Sequence, residues 1–226
     1  MANDSGYRGA LAELAVNIVA PTMVLMFLSG DDWLGPMWGL ICALVFPIGH
    51  IVFTVISVRR VSPIAVLAFI SVLLTGGIGL FELEVHWFAW KEALFPLCLG
   101  FAAVASVKTR WPAIPTLLDP LLEVEKVQRL LGEKGETGAH QASLVRATWQ
   151  MGAILVVTAV VTFAFARWMV VSPTGTEEFN SELGRYTAAS FPVLGIPSAI
   201  AMAFVLRSVI IGIEERTGVD LDDLLK

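Results

Sequence analysis

Charge is what this chain has least of. Only 15% of its 226 residues are charged, where a soluble domain carries about 25%, and that scarcity argues against an ordinary water-soluble globule. Basic charge is the scarcer sign, with 15 Lys and Arg against 20 Asp and Glu and a net charge of −5. Without a basic face there is nothing to neutralise phosphates, so nucleic acid is not an expected partner. The only two cysteines, Cys42 and Cys98, both lie inside apolar runs. They read as small buried hydrophobes rather than as a disulfide or a metal pair. The three histidines are scattered, His50 has no second histidine four residues on, and no Cys or carboxylate cluster has metal spacing. No metal and no cofactor are therefore expected. Also missing are a Ser-His-Asp arrangement, an H-E-x-x-H motif and a pair of deep carboxylates, so an enzyme is not expected.

What is present is apolar: 56% of residues are hydrophobic. They fall into six runs, at about 10–29, 35–58, 62–81, 87–107, 147–171 and 187–213. One bilayer crossing takes roughly 20 mostly apolar residues, and backbone groups in hydrocarbon must bond within their own segment, so each run is expected to be a helix. The expected fold is all-α: a single polytopic membrane domain over 1–226 with about six transmembrane helices. Residues 1–9 are polar and no small-residue cleavage site follows the run from Ala10, so that run should remain as the first span. The longer polar stretch, 108–146, is expected to be cytoplasmic. Within it, Asp119-Pro120 reads as a helix start, and Leu121, Leu122, Val124, Val127, Leu130 and Leu131 recur at helical spacing before Gly132 and Gly135. That is a short amphipathic helix on the membrane surface or against the bundle. The tail Asp220–Leu225 looks like a smaller version, capped by Asp220.

Orientation follows from the basic residues. With both termini cytoplasmic, only Lys91, Arg167 and Arg185 of the fifteen Lys and Arg fall outside. Trp33, Trp38, Trp87, Trp90 and Trp168 then lie near the outer boundary, and Trp111 and Trp149 near the inner one, as amphipathic rings prefer. All three descending segments contain Phe-Pro, at Phe46-Pro47, Phe95-Pro96 and Phe191-Pro192. Three repeated helical hairpins would explain this, but the prolines lie at different depths, so coincidence remains open.

Ionisable residues inside a membrane are candidate functional groups by default. The densest polar group is Glu82, Glu84, His86, Lys91 and Glu92, around the start of the fourth run. Lys91 can snorkel to the headgroups or turn inward to pair with Glu82 or Glu84. An inward ammonium would suit an anionic group or proton exchange. Asn17 in the first run reads as a polar residue bonding across to another helix. His50 in the second reads as a hydrogen-bonded packing residue or a titrating group. Thr75-Gly76-Gly77-Ile78-Gly79 is a side-chain-poor patch of the kind that lets helices approach.

At Gly76-Gly77-x-x-Leu80-Phe81, followed after eight residues by Trp90-Lys91, the chain resembles the bacterial intracellular septation protein A family of inner-membrane proteins. As a whole it looks closer to an uncharacterised family of small six-span bacterial inner-membrane proteins. That likeness rests on Asn17…Pro21-Thr22, the turn Gly30–Pro36, Ser172–Asn180 and the Asp-Leu-Asp-Asp-Leu-Leu tail. The chain departs from the septation family in its longer loop before the sixth run, its cytoplasmic helix and its acidic tail. The resemblance implies a non-enzymatic role in envelope maintenance or septation, with membrane lipids, other inner-membrane proteins or a second copy as partners. It supplies no catalytic residues. The rival reading is a small carrier, channel or lipid-handling protein with a site among spans one to four.

Overall fold

The computed structural model describes residues 15–58, 63–109, 113–118 and 122–224. Glu13, Arg59, Arg60, Trp111 and the expected helix start at Asp119-Pro120 lie outside them. Among the described residues there is no strand, and eight helices follow one another. They are α1 (Ala15–Phe27), α2 (Gly35–Val58), α3 (Pro63–Leu80), α4 (His86–Ser106), α5 (Ala113–Leu118), α6 (Val124–Glu133), α7 (Thr137–Met169) and α8 (Glu177–Thr217). A 3-10 turn, Leu221–Leu224, follows.

Four helices are long and apolar enough to cross a membrane: α2 over Gly35–Thr54, α4, α7 and α8. The apolar parts of α1 and α3 are shorter. Large apolar side chains stand exposed along these helices, among them Phe53 at 68%, Val160 at 63% and Phe204 at 67%. Monomers in water rarely leave such surfaces uncovered over a wide area, so the exposure fits a multi-pass membrane protein.

Contacts divide the described chain into two compact units. The first takes in residues up to Glu92 together with Thr162–Val193. In it α1 packs on α2 and on the first part of α8, and α2 packs on α3. Phe88, Phe179, Leu183, Tyr186, Leu40 and Val170 lie buried at its centre. Gly184 lets α8 approach α1 closely: a Cβ there would stand 3.3 Å from the Thr22 carbonyl oxygen and 2.9 Å from Met26. The buried Asn180 amide donates to the Pro36 carbonyl at 2.7 Å, fastening α8 to the start of α2.

The second unit comprises Ala93–Val161 and Leu194 onward. Its core joins Ile114 and Leu118 of α5, Val127 and Leu131 of α6, and Val205, Val209 and Ile213 of α8. The amphipathic helix expected in this stretch is α6, but it begins at Val124, later than the periodicity suggested. The tail returns to it. Leu224 is fully buried in the same core, and the Glu123 N–H donates to its carbonyl at 2.8 Å.

Two boundaries differ from the sequence reading. Residues 172–185 are expected as a polar loop, yet α8 begins at Glu177. The Thr176 hydroxyl accepts the Phe179 N–H at 3.1 Å, and Glu177 and Glu178 occupy the first turn, where the helix dipole favours negative charge. Similarly α7 starts at Thr137, ahead of the apolar run that begins at 147. The short connection between α7 and α8 is closed by Glu182. Its carboxylate accepts the N–H groups of Val171 and Ser172 and the Ser172 hydroxyl, each at 2.8 Å.

The helix ends are chemically closed as well. Past α6, Glu136 N–H reaches back to the Leu131 carbonyl and Gly135 takes φ +71°. The end of α3 repeats this pattern: Leu83 N–H donates to the Ile78 carbonyl and Glu82 N–H to that of Gly79. Here the left-handed position, φ +51°, is held by Glu82, the only described residue other than glycine with positive φ. That conformation costs a side-chain-bearing residue about 1–2 kcal/mol. Glu82→Gly should therefore raise the unfolding midpoint in detergent by a few degrees, corresponding to about 1 kcal/mol; a lower midpoint would contradict the assignment.

Glu182 yields a pH dependence. Burial acts to raise its pKa, but the bonds from Ser172 and Val171 and the nearby Arg185 together outweigh this and hold it below the ordinary carboxylate value. A carboxyl with a lower pKa folded than unfolded binds fewer protons in the folded state, so its contribution is present above the unfolded value and lost as pH falls through the folded one. Unfolding followed below the unfolded value near 4.5 should show a smaller acid-induced loss for Glu182→Gln than for the unaltered protein.

Candidate functional site

Of the polar residues clustered around the start of α4, only two turn into the first unit. Phe88 on α4 is 1% exposed, so its face of the helix is the buried one. Residues three and four further on share that face, and these are Lys91 and Glu92. The Lys91 side chain is 9% exposed. Its ammonium pairs with the Glu92 carboxylate, donates to Thr75 Oγ1 at 2.7 Å and to Ser71 Oγ at 3.4 Å, and stands 5.3 Å from the Phe88 ring centroid. An ammonium has three N–H donors, and three acceptors are in place.

Thr75 and Ser71 lie four apart on α3, hence one above the other. The Thr75 hydroxyl donates to the Ser71 carbonyl at 3.0 Å, leaving its oxygen to accept from Lys91. On the other side the Tyr186 hydroxyl of α8 donates to Glu92 Oε2 at 3.2 Å. The Tyr186 side chain is buried, and its ring meets Phe88 edge-on at 5.1 Å. The result is a chain of hydrogen bonds, Ser71–Thr75–Lys91–Glu92–Tyr186, running through α3, α4 and α8.

Lys91 therefore turns inward, but neither Glu82 nor Glu84 is its partner. Glu82 serves as the left-handed residue closing α3. Glu84 pairs with His86 Nδ1 at 3.0 Å, where the carboxylate is 81% exposed, and so exposed a pair contributes little. Neighbouring residues on a helix do not usually face one another, which is why the Lys91–Glu92 contact escapes a reading by spacing. The long lysine stem makes it reachable. Tyr186 and Ser71 carried no sequence signal of their own. Thr75 was visible only as part of the small-residue patch.

Asn17 and His50 meet elsewhere in the same unit. The Asn17 amide donates to His50 Nδ1 at 3.1 Å, joining α1 to α2 across a half-buried contact. Asn17 sits in a π-helical turn, Ala15–Val19. A second π turn, Phe191–Gly195, follows Tyr186 and contains Pro192. Single π turns within helices are frequent at functional sites. Among the described residues no three His, Cys, Asp or Glu are placed to hold a metal ion. No family model matches the chain, and neither a curated protein nor a solved structure is similar to it.

The coupling within the Lys91–Glu92 pair is measurable. Removing one member of a partly buried pair leaves an uncompensated charge, at a cost on the order of 2 kcal/mol, between the exposed and the fully buried cases, whereas removing both does not. Lys91→Met should therefore lower stability to chemical unfolding in detergent by about that amount, and Lys91→Met with Glu92→Gln should recover most of it. Additive losses would mean that the two charges act separately.

Proposed function

We propose that this chain is a six-span, non-enzymatic protein of a bacterial inner membrane, with both termini cytoplasmic, that carries a small anion together with a proton. The span number and orientation rest on the six apolar runs and on the sorting of Lys and Arg. The observation that carries the functional reading is the Lys91–Glu92 pair, partly buried on a helix otherwise apolar enough to cross a membrane. Charge in that setting costs several kcal/mol unless it is balanced.

The chemistry follows from charge balance. With Glu92 ionised, the pair sums to zero and Glu92 occupies one ammonium donor. When a proton joins a Glu92 oxygen, the carboxyl becomes neutral and its hold on Lys91 weakens. The ammonium then has one donor and one positive charge to offer, and a small anion restores the sum to zero. Proton and anion thus bind together and leave together. Tyr186, donating to Glu92 from the opposite side, holds the carboxyl in position. Thr75 and Ser71 keep the ammonium in place throughout.

A second reading has its own support. Close contacts through glycine, such as Gly100 with Gly152, where each added Cβ would come within 3.2 Å of the other's carbonyl oxygen, suit a protein that packs tightly and organises partners. The septation-family resemblance points the same way, to envelope support. Here the charged pair would only bind helices together.

Flux separates the two. Reconstituted in vesicles containing a pH dye, the protein should acidify the lumen when a gradient of chloride, nitrate or phosphate is imposed. Lys91→Met should abolish this, whereas Glu92→Gln, a permanent stand-in for the protonated carboxyl, should still exchange anions but no longer move protons. Absence of flux with all three anions, together with specific cross-linking to another membrane protein, would sink the carrier reading in favour of envelope support.

A further inference from the structure

A pocket of about 690 Å³ lies in the second unit, formed by α5, α6, the first turns of α7 and Ile213 of α8. Its volume is that of a small-molecule site, which typically spans about 300–1,000 Å³. The wall is mostly apolar, with Leu118, Val127, Leu144 and Ile213 among its side chains. The polar groups on it are few and neutral, chiefly Gln128, His140 and Gln141. Among the described lining residues there is no Asp, Glu, Lys or Arg.

One atom in that wall is out of balance. His140 Nδ1 is buried and has no hydrogen-bond partner, although buried polar atoms are nearly always bonded. The imidazole belongs to the polar first turns of α7, ahead of its apolar run. Burial and, after it, the Arg216 guanidinium hold its pKa below the ordinary histidine value, so near neutral pH the ring is uncharged. An uncharged ring nitrogen can accept a proton donor or, in the other tautomer, donate to an oxygen. A hydroxyl satisfies it in either state.

We infer that this pocket binds an uncharged, hydroxyl-bearing, single-chain amphiphile taken from the surrounding membrane, a monoacylglycerol by class. The apolar wall takes the chain, while His140, Gln128 and Gln141 take the hydroxyls. No cation is among the described lining residues, and Arg216, whose charge reaches His140, is already engaged by the Gly212 carbonyl and Glu136, so a phosphate or carboxylate head finds no free positive partner. The volume falls in the range for one drug-sized ligand, which favours one chain over two. This inference is independent of the Lys91 site and survives if that site carries nothing.

The test uses the full chain in lipid nanodiscs and three diazirine-bearing photoprobes: a monoacylglycerol, the fatty acid of the same chain, and a two-chain phosphatidylglycerol. Monoacylglycerol adducts should concentrate on residues of α5, α6 and the start of α7, and should be displaced by excess unlabelled monoacylglycerol. Val124→Trp, which fills the pocket from α6, should cut this labelling about tenfold. His140→Phe should remove the preference for the monoacylglycerol over a methyl ester of the same chain while leaving chain labelling in place. Should Val124→Trp fail to fold, the competition in the unaltered protein still decides. Adducts spread evenly over the exposed apolar faces of α2 and α7, or labelling by the fatty acid or the phosphatidylglycerol equal to that by the monoacylglycerol, would overturn the inference.

Discussion

Hydrocarbon contains no water to complete a hydrogen bond, and that condition governs this molecule at every level. It makes helix the only economical backbone, since each N–H must find its acceptor within the segment. It also explains where the hydroxyls go. Thr75 donates to the Ser71 carbonyl, Thr158 to that of Ile154 and Ser198 to that of Leu194, each four residues back along its own helix. Thr158 and Ser198 then meet across the second unit at 3.0 Å. Each of these hydroxyls thus has a carbonyl of its own helix within reach, and where Thr158 and Ser198 meet, one of the two donates to the other in place of its own carbonyl. The helix ends obey the same condition, even where Glu82 must take a left-handed conformation to meet it.

The Lys91–Glu92 site shows what happens when the polar group is a full charge. Hydrogen bonds alone do not suffice, because the ammonium remains expensive until an opposite charge lies beside it. Glu92 provides that charge, and Tyr186 saturates the carboxylate in turn. A network of this kind is rigid as long as every member is satisfied, since each partner's loss exposes another. The Glu92 side chain is 26% exposed against 9% for Lys91, so the anionic end of the pair is the more accessible one.

How much of this was legible in the sequence varies with the range of the interaction concerned. The run at 35–58 became a helix with those bounds because an unbroken apolar segment has one solution in hydrocarbon and Gly35-Pro36 marks where it begins. The start of α8 was legible in principle: Thr176 followed by Glu177 and Glu178 is a capping signal, but the polar character of 172–185 concealed it. Gly135 announced its left-handed turn and Glu82 did not, although the two positions carry the same pattern of backbone bonds. In the site, Lys91 and Glu92 stood out as charges near an apolar run. Their partners did not, because Ser71, Thr75 and Tyr186 reach them only through the packing of α3, α4 and α8, which no local pattern encodes.

The two units answer the solvation problem in opposite ways. In the first, charge is brought inside and matched, Lys91 against Glu92 and Glu92 against the Tyr186 hydroxyl. In the second, charge stays at the margin: Arg216 bonds the Gly212 carbonyl and approaches Glu136 at 3.9 Å, while the pocket wall is neutral. Each unit nonetheless holds a buried polar atom without a partner, Thr22 Oγ1 in the first and His140 Nδ1 in the pocket wall of the second. A matched charged pair must give up a partner before it takes a ligand, whereas an apolar pocket with an unfilled bond has nothing to give up. The first arrangement suits exchange of one charged partner for another, and the second suits standing occupancy by an uncharged molecule.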